Sequence, residues 1–300
     1  MLLWAVSPKS RKNLKYCFRK LGYTVPALGL AQSYWALSQR EVPIGQALAD
    51  ACSEGYDYFE VGLREERLDE TAQLLKQFPL RLIAQGWASS AQEASIFFER
   101  AAQLHAVALN MHLGHAYMSI DESVDLVEEV RGQACAYGIP LLIETHRGRL
   151  TQDLFRASEL VRRLPEIVIT LDASHYIVAG ETLGGSEDLF RLHLAPMLTR
   201  TALIHGRISN GQSVQISMDD SFAFTRVLRS LWQQAMELWL VDAPNDAVFV
   251  FEPELGPPPY AYVKGGIETF NRTAESRAIV RLAREAWEAA LANANSIINR

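Results

Sequence analysis

Along the 300-residue chain, short apolar runs alternate with longer stretches in which apolar positions recur every three or four residues. The runs cover residues 24–30, 58–63, 80–84, 106–111, 140–143, 167–171, 202–204 and 247–251. Each is nearly continuous in apolar character, as expected of strands buried on both faces of a parallel sheet; a half-solvated strand would alternate. Between them the pattern predicts helices. Pro43 opens one that runs to Ser53 ahead of Gly55, with proline early and glycine late. Residues 64–76 carry Leu68, Leu74 and Leu75 at helical spacing, and Ser90 caps a helix that runs to Gln103. Another starts at Asp121 and stops at Tyr137 before Gly138, and Thr151 caps one that ends at Arg163. Residues 188–198 and 221–240 follow, and 269–293, rich in Ala, Arg and Glu, reads as an outer helix.

Eight strand–helix units without a dividing Pro/Gly/Ser-rich linker predict an α/β protein. The expected architecture is a (β/α)8 TIM barrel, one domain over residues 1–300 with residues 1–22 as an N-terminal extension. A doubly wound open sheet is the alternative. Its nucleotide-binding version is disfavoured, because Gly29-Leu30-Ala31-Gln32 lacks the glycines of a phosphate loop.

Composition narrows the function classes. A hydrophobic fraction of 49% with 21% charged residues suits a globular domain with a large core. The net charge of -6 argues against nucleic acid or an anionic membrane as partner. Cys17, Cys52 and Cys135 are scattered without metal or redox spacing, as thiols in a reducing compartment are. The apolar start meets Pro8, Lys9 and Arg11 at once, too early for a signal peptide, and no run is long enough for a membrane helix. A cytoplasmic location is expected.

The chemistry collects at the ends of the later runs. Leu141-Leu142-Ile143 ends in Glu144-Thr145-His146-Arg147, and Ile169-Thr170-Leu171 ends in Asp172-Ala173-Ser174-His175. Leu203-Ile204 ends in His205-Gly206-Arg207, and Val250-Phe251 in Glu252-Pro253-Glu254. In a barrel all these ends converge on one face, where active sites lie. Glu144, Asp172, His205 and Glu254 together predict a site for one divalent ion: mixed carboxylate and imidazole ligation without thiolate suits Mn²⁺, Mg²⁺, Co²⁺ or Zn²⁺. A dication also relieves the repulsion of three converging carboxylates. Glu252 shares the strand parity of Glu254 and is the alternative ligand, although the rim of Gly256 and Pro257–Pro259 favours Glu254.

These residues resemble the xylose isomerase-like barrels of the sugar phosphate isomerase/epimerase superfamily. The resemblance runs from about Tyr23 onward and rests on Ile-Glu-Thr-His-Arg at Glu144, Asp-x-x-His at Asp172 and His175, His205 with Arg207, and Pro253-Glu254-Leu255-Gly256-Pro257. It implies that Glu144, Asp172, His205 and Glu254 hold one divalent metal, while His175 and Arg207 touch substrate. The basic residue stands two positions after the metal histidine here, closer than in many members. The implied activity is a metal-dependent isomerase or epimerase of a sugar or sugar phosphate, with Glu144 and Glu254 transferring protons through a metal-stabilised enediolate. Barrels of this type often pair, which implies a homo-oligomer.

Earlier strand ends add weaker candidates. Trp87 would wall the pocket against a sugar face and His112 would hydrogen-bond a hydroxyl; packing at the barrel mouth is the plainer alternative for both. Glu60, Gln85 and His115 end neighbouring runs, and Tyr260 and Tyr262 sit on the eighth loop as lid candidates. His146 and Arg147 suit either an anionic substrate group or support of Glu144. Competing functions are a metal-dependent dehydratase or hydrolase on a sugar-like substrate and a non-catalytic sugar-binding barrel. A DNA endonuclease of the same superfamily would need more histidines and a basic surface.

Overall fold

The computed structural model describes residues 15–20, 22–40, 42–63, 68–180, 182, 187–218 and 222–298. Eight parallel strands close into a barrel in chain order, the last pairing back onto the first. They are β1 (Ala27–Ser33), β2 (Tyr58–Gly62), β3 (Arg81–Ala88), β4 (Ala108–Leu113), β5 (Leu141–Glu144), β6 (Val168–Leu171), β7 (Thr201–Gly206) and β8 (Val248–Pro253). The helices outside them are α1 (Ile44–Ser53), α2 (Leu68–Leu75), α3 (Ala91–Gln103), α4 (Ile120–Tyr137), α5 (Leu154–Arg163), α6 (Ala173–Ala179), α7 (Glu187–Leu198), α8 (Phe222–Leu240) and α9 (Arg272–Ile298). A two-stranded hairpin, β9 (Val263–Lys264) and β10 (Ile267–Glu268), stands on the eighth loop. No helix among the described residues is long and apolar enough to cross a membrane.

The predicted caps at Ser90 and Gly138 hold, whereas Asp121 and Thr151 are not caps: Ser119 caps the helix expected to start at Asp121. Ser90 accepts from the Glu93 amide, Ser119 and Glu122 close a reciprocal capping box on α4, and Gly138 ends it at φ 68°. Helix α5 is instead capped by Asp153, whose carboxylate accepts from the Arg156 amide at 2.8 Å. The Thr151 hydroxyl expected there donates to the Glu144 carbonyl at 2.8 Å, so it fixes the site and not the helix. Strand β1 begins at Ala27, three residues later than predicted, and α6 directly after Asp172 is an element the periodicity did not predict.

Inward positions divide the barrel into two storeys. The lower one is apolar, with Ala31, Ile83, Leu142, Val168 and Val250 in a single buried cluster. Phe18 plugs its base edge-on against Tyr58, 5.4 Å between ring centres. The predicted extension therefore contributes to the barrel core through residues 15–20; residues 1–14 and 21 lie outside the described residues. A second, larger cluster fills the space between strands and helices. The upper storey of the interior is polar, and it carries the chemistry.

Candidate active site

Strand parity decides which side chains meet. His205 pairs in register with Glu252 on β8, and both turn inward, as do Glu144 at the end of β5 and Asn110 on β4. Gly206 faces out between His205 and Arg207. A Cβ there would lie 2.2 Å from the Phe251 ring, so glycine lets β7 pass Phe251 closely while its neighbours point into the mouth.

Glu144 is 1% exposed and held on all sides. Its Oε2 accepts from Asn110 Nδ2 at 2.8 Å and lies 2.8 Å from His112 Nε2, while Oε1 is 3.5 Å from His205 Nδ1. Burial pushes its pKa up, but His112 and His205 outweigh burial and hold it well below the ordinary carboxylate value. Glu144 is thus an ionised, oriented carboxylate. The Thr145 hydroxyl accepts from the Asp172 amide at 2.8 Å and donates to the Asp172 carbonyl at 3.1 Å, clamping the ends of β5 and β6 together.

Asp172 caps α6. Its Oδ1 accepts from the Ser174 amide at 2.9 Å and the Ser174 hydroxyl at 2.5 Å, so only Oδ2 is uncommitted. That oxygen faces Arg207 at 3.3 Å and His175 Nε2 at 3.6 Å. Burial raises the Asp172 pKa and Arg207 opposes it.

The His205 imidazole stands between two sets of carboxylates. Nδ1 lies 3.2 Å from Glu254 Oε2 and 3.5 Å from Glu144 Oε1, and Nε2 lies 3.7 Å from Glu60 Oε2 and 3.9 Å from Glu252 Oε1. Among the described residues, Glu144–His205–Glu254 and Glu60–His205–Glu252 each bring one ligand atom per residue within 4.8 Å of one another. Burial disfavours charge on His205, but Glu254, Glu144 and Glu60 together raise its pKa well above that of a free imidazole. Deeper in, burial and then Glu60 push Glu252 well above the usual carboxylate range; burial likewise raises Glu60.

Three of the four expected ligands therefore gather at the mouth. Asp172 stands beside them, outside the set, with the Arg207 guanidinium between it and Glu254. The donor set fits a divalent ion. It is made of hard oxygens with one imidazole, and Asp172 Oδ2 and both His205 nitrogens are buried without hydrogen-bond partners.

Around the centre lies an imidazole stack. His146 sits 4.5 Å from His112 and 4.0 Å from His175 between ring centres, with Nε2 3.2 Å from the Tyr260 hydroxyl. Burial and His112 bring the His146 pKa down to about 4, and burial with His146 takes His175 well below its usual value, so both rings are neutral. Arg147 Nε donates to His175 Nδ1 at 3.0 Å, which puts the His175 proton on Nε2. Trp87 stands at the open side of the mouth, 38% exposed, its ring 5.7 Å from His112. His115 is exposed on its loop, and of the two eighth-loop tyrosines only Tyr260 turns to the centre. Gln215 ties the seventh and eighth loops together: its amide accepts from Gly256 N at 2.7 Å and donates to Gly256 O at 3.0 Å.

Asn110 and Trp35 were not singled out from sequence. Asn110 bridges Glu60 and Glu144, and counting inward positions back from His112 finds it; nothing in the sequence marks Trp35, which packs edge-on against Tyr260.

No protein-family model matches the chain, and no curated protein does. Solved structures do. A D-tagatose 3-epimerase-like protein superposes with a TM-score of 0.60 at 16% identity, over 88% of this chain and all of that one. A putative xylose isomerase from Rhodospirillum rubrum gives 0.60 at 14% identity, over 86% and 99%. A xylose isomerase-like TIM barrel protein from Mycobacterium smegmatis, in complex with magnesium, gives 0.55 at 12% identity, over 90% and 99%. The fold is the xylose isomerase-like TIM barrel. At these identities the likeness concerns the barrel, and the chemistry rests on the side chains just described.

Proposed function

We propose that this xylose isomerase-like barrel is a divalent-metal-dependent isomerase or epimerase of a sugar or sugar-like substrate. The observation that carries this reading is the convergence of Glu144, His205 and Glu254 at the ends of β5, β7 and β8, with Asp172 alongside. These three would hold the ion, and Asp172 is the fourth candidate. When bound, the metal supplies a Lewis acid for a carbonyl and its neighbouring hydroxyl and offsets the charge of the enediolate.

The remaining work belongs to the side chains. Glu144, ionised and aimed by Asn110 and His112, takes the proton from the carbon next to the carbonyl. Glu254, from β8, returns a proton from the other face. Burial raises its pKa but His205 and Arg207 outweigh it, so Glu254 is ionised at rest and has to take a proton from solvent before it delivers one. His175 presents its Nε2–H, and His112 and Trp87 meet the sugar at the open side, Trp87 with its ring face. Arg207 lies under Tyr260 and reaches the substrate only from within the carboxylate cluster.

Metal analysis of the purified protein, followed by a solvent-deuterium exchange screen over ketoses, aldoses and inositol ketones, tests the reading. Stoichiometric Mn, Mg, Co or Zn and exchange at one substrate carbon are expected. Glu144→Ala protein that keeps both its metal and its turnover would sink the proposal.

A further inference from the structure

Arg207 sits where a substrate contact is not expected. Its guanidinium is 2% exposed, and one terminal nitrogen, NH2, serves both Glu254 Oε2 and Asp172 Oδ2. Two aromatic rings in contact with each other lie against the guanidinium, with the Tyr260 centroid at 4.8 Å and the Trp35 centroid at 5.9 Å. A Cβ on Gly256 would lie 2.2 Å from the Trp35 ring, so that glycine admits the tryptophan wall. Nε and NH1 are buried with no hydrogen-bond partner. A guanidinium buried with three of its five donors idle is costly, and only the charges of its two carboxylates offset that cost.

Those two carboxylates are half of the expected ligand set. Asp172 has only Oδ2 to give, and the Arg207 charge stands 3.3 Å from it without a hydrogen bond. We propose that Arg207 is a built-in counter-cation that competes with a divalent ion for Asp172 and Glu254 and thereby weakens metal binding. The proposal rests on the metal-dependent reading above. Its benefit is chemical: a carboxylate held by Arg207 leaves a position at the ion open for a substrate oxygen.

The three roles open to this arginine differ in what its removal does to metal affinity. A scaffold residue weakens binding when lost, and a pure substrate contact leaves it unchanged. A counter-cation strengthens it, because two carboxylates lose their positive partner beside the ion. Calorimetric titration of Mn²⁺ into the full chain, comparing wild type with Arg207→Met and Arg207→Lys, reads this directly. Arg207→Met should bind at least about tenfold tighter, about 1.4 kcal/mol, and Arg207→Lys should stay near wild type. The midpoint of thermal unfolding should rise further on adding Mn²⁺ to Arg207→Met than to wild type. Tyr260→Ala loosens the ring clamp at a partly exposed loop position; it should tighten binding by a smaller factor, and it decides the matter should Arg207→Met not fold. Wild type that binds Mn²⁺ while the variants bind equally or more weakly overturns the proposal alone. Absence of binding in all forms overturns the metal reading together with it.

Discussion

The lower and upper storeys of the barrel are built on the same eight strands, from positions of the same inward parity, yet they follow opposite rules. Below, Phe18, Ile83, Leu142, Val168 and Val250 interlock in one apolar cluster, and the Tyr58 hydroxyl beside them accepts from Arg81. Above, Glu60, Asn110, Glu144, His205 and Glu252 are equally buried, and several of their polar atoms have no partner. Unpaired charge buried at that depth lowers stability. The contrast shows where stability is made and where it is spent on chemistry. Substitutions in the two storeys should therefore separate cleanly.

The largest effect belongs to the upper storey. Glu144→Gln, which keeps shape and removes the base, should cut solvent-deuterium exchange by roughly 10²- to 10⁴-fold. Its unfolding midpoint should fall only modestly, because the ionised carboxylate held by His112 and His205 itself stabilises the metal-free fold at neutral pH; a loss as large as that from a floor substitution would break the contrast. Next comes the lower storey: Phe18→Ala should cost about 3–5 kcal/mol of unfolding free energy in denaturant titration. Metal affinity should be unchanged; a shifted affinity would show that the floor and the mouth are coupled.

Metal binding should depend on pH with a definite sign. The His205 pKa is raised in the metal-free protein, so the ring is protonated at neutral pH and must lose that proton to become a ligand. Affinity should rise with pH, by up to about tenfold per unit below that pKa, with proton release visible in calorimetry in buffers of different ionisation enthalpy. A flat profile between pH 6 and 8 (roughly the range around the free imidazole value) would show that His205 is not a ligand.

The smallest effect concerns Glu252. Its folded pKa is raised, so the metal-free protein has that contribution in full below the unfolded value and loses it as pH rises through the folded one. Glu252→Gln, which mimics the protonated form, should flatten this fall and gain on the order of 1 kcal/mol at the alkaline end. Equal pH slopes of stability in the two proteins would count against a charged cost at that position.

The same two storeys explain what could be read from the chain alone. Apolar runs identify strands as long as inward and outward positions are both apolar, which holds only in the lower storey. Accordingly β3, β4, β7 and β8 end at Ala88, Leu113, Gly206 and Pro253, each beyond the predicted end. The missed residues include Gln85, His112, His205 and Glu252, the polar inward positions themselves. Helix α6 escaped because seven residues carry too little periodicity, and because its cap, Asp172, was already accounted for as a ligand. Glu144 and His205 were legible because each follows an apolar run directly, and Glu254 because it shares the strand parity of Glu252 just after one. The partners of Arg207 were not, since spacing places a guanidinium at the mouth without saying which charges it meets there.

One imidazole serves both carboxylate sets, and this has a practical use. Nε2 of His205 faces Glu60 and Glu252, which lie beneath the mouth and are at most 1% exposed. Their charge alters how readily the ring gives electrons through its other nitrogen. On the metal-dependent reading proposed above, metal preference should accordingly be open to retuning from underneath, by substituting Glu60 or Glu252 with the mouth-facing surface left as it is.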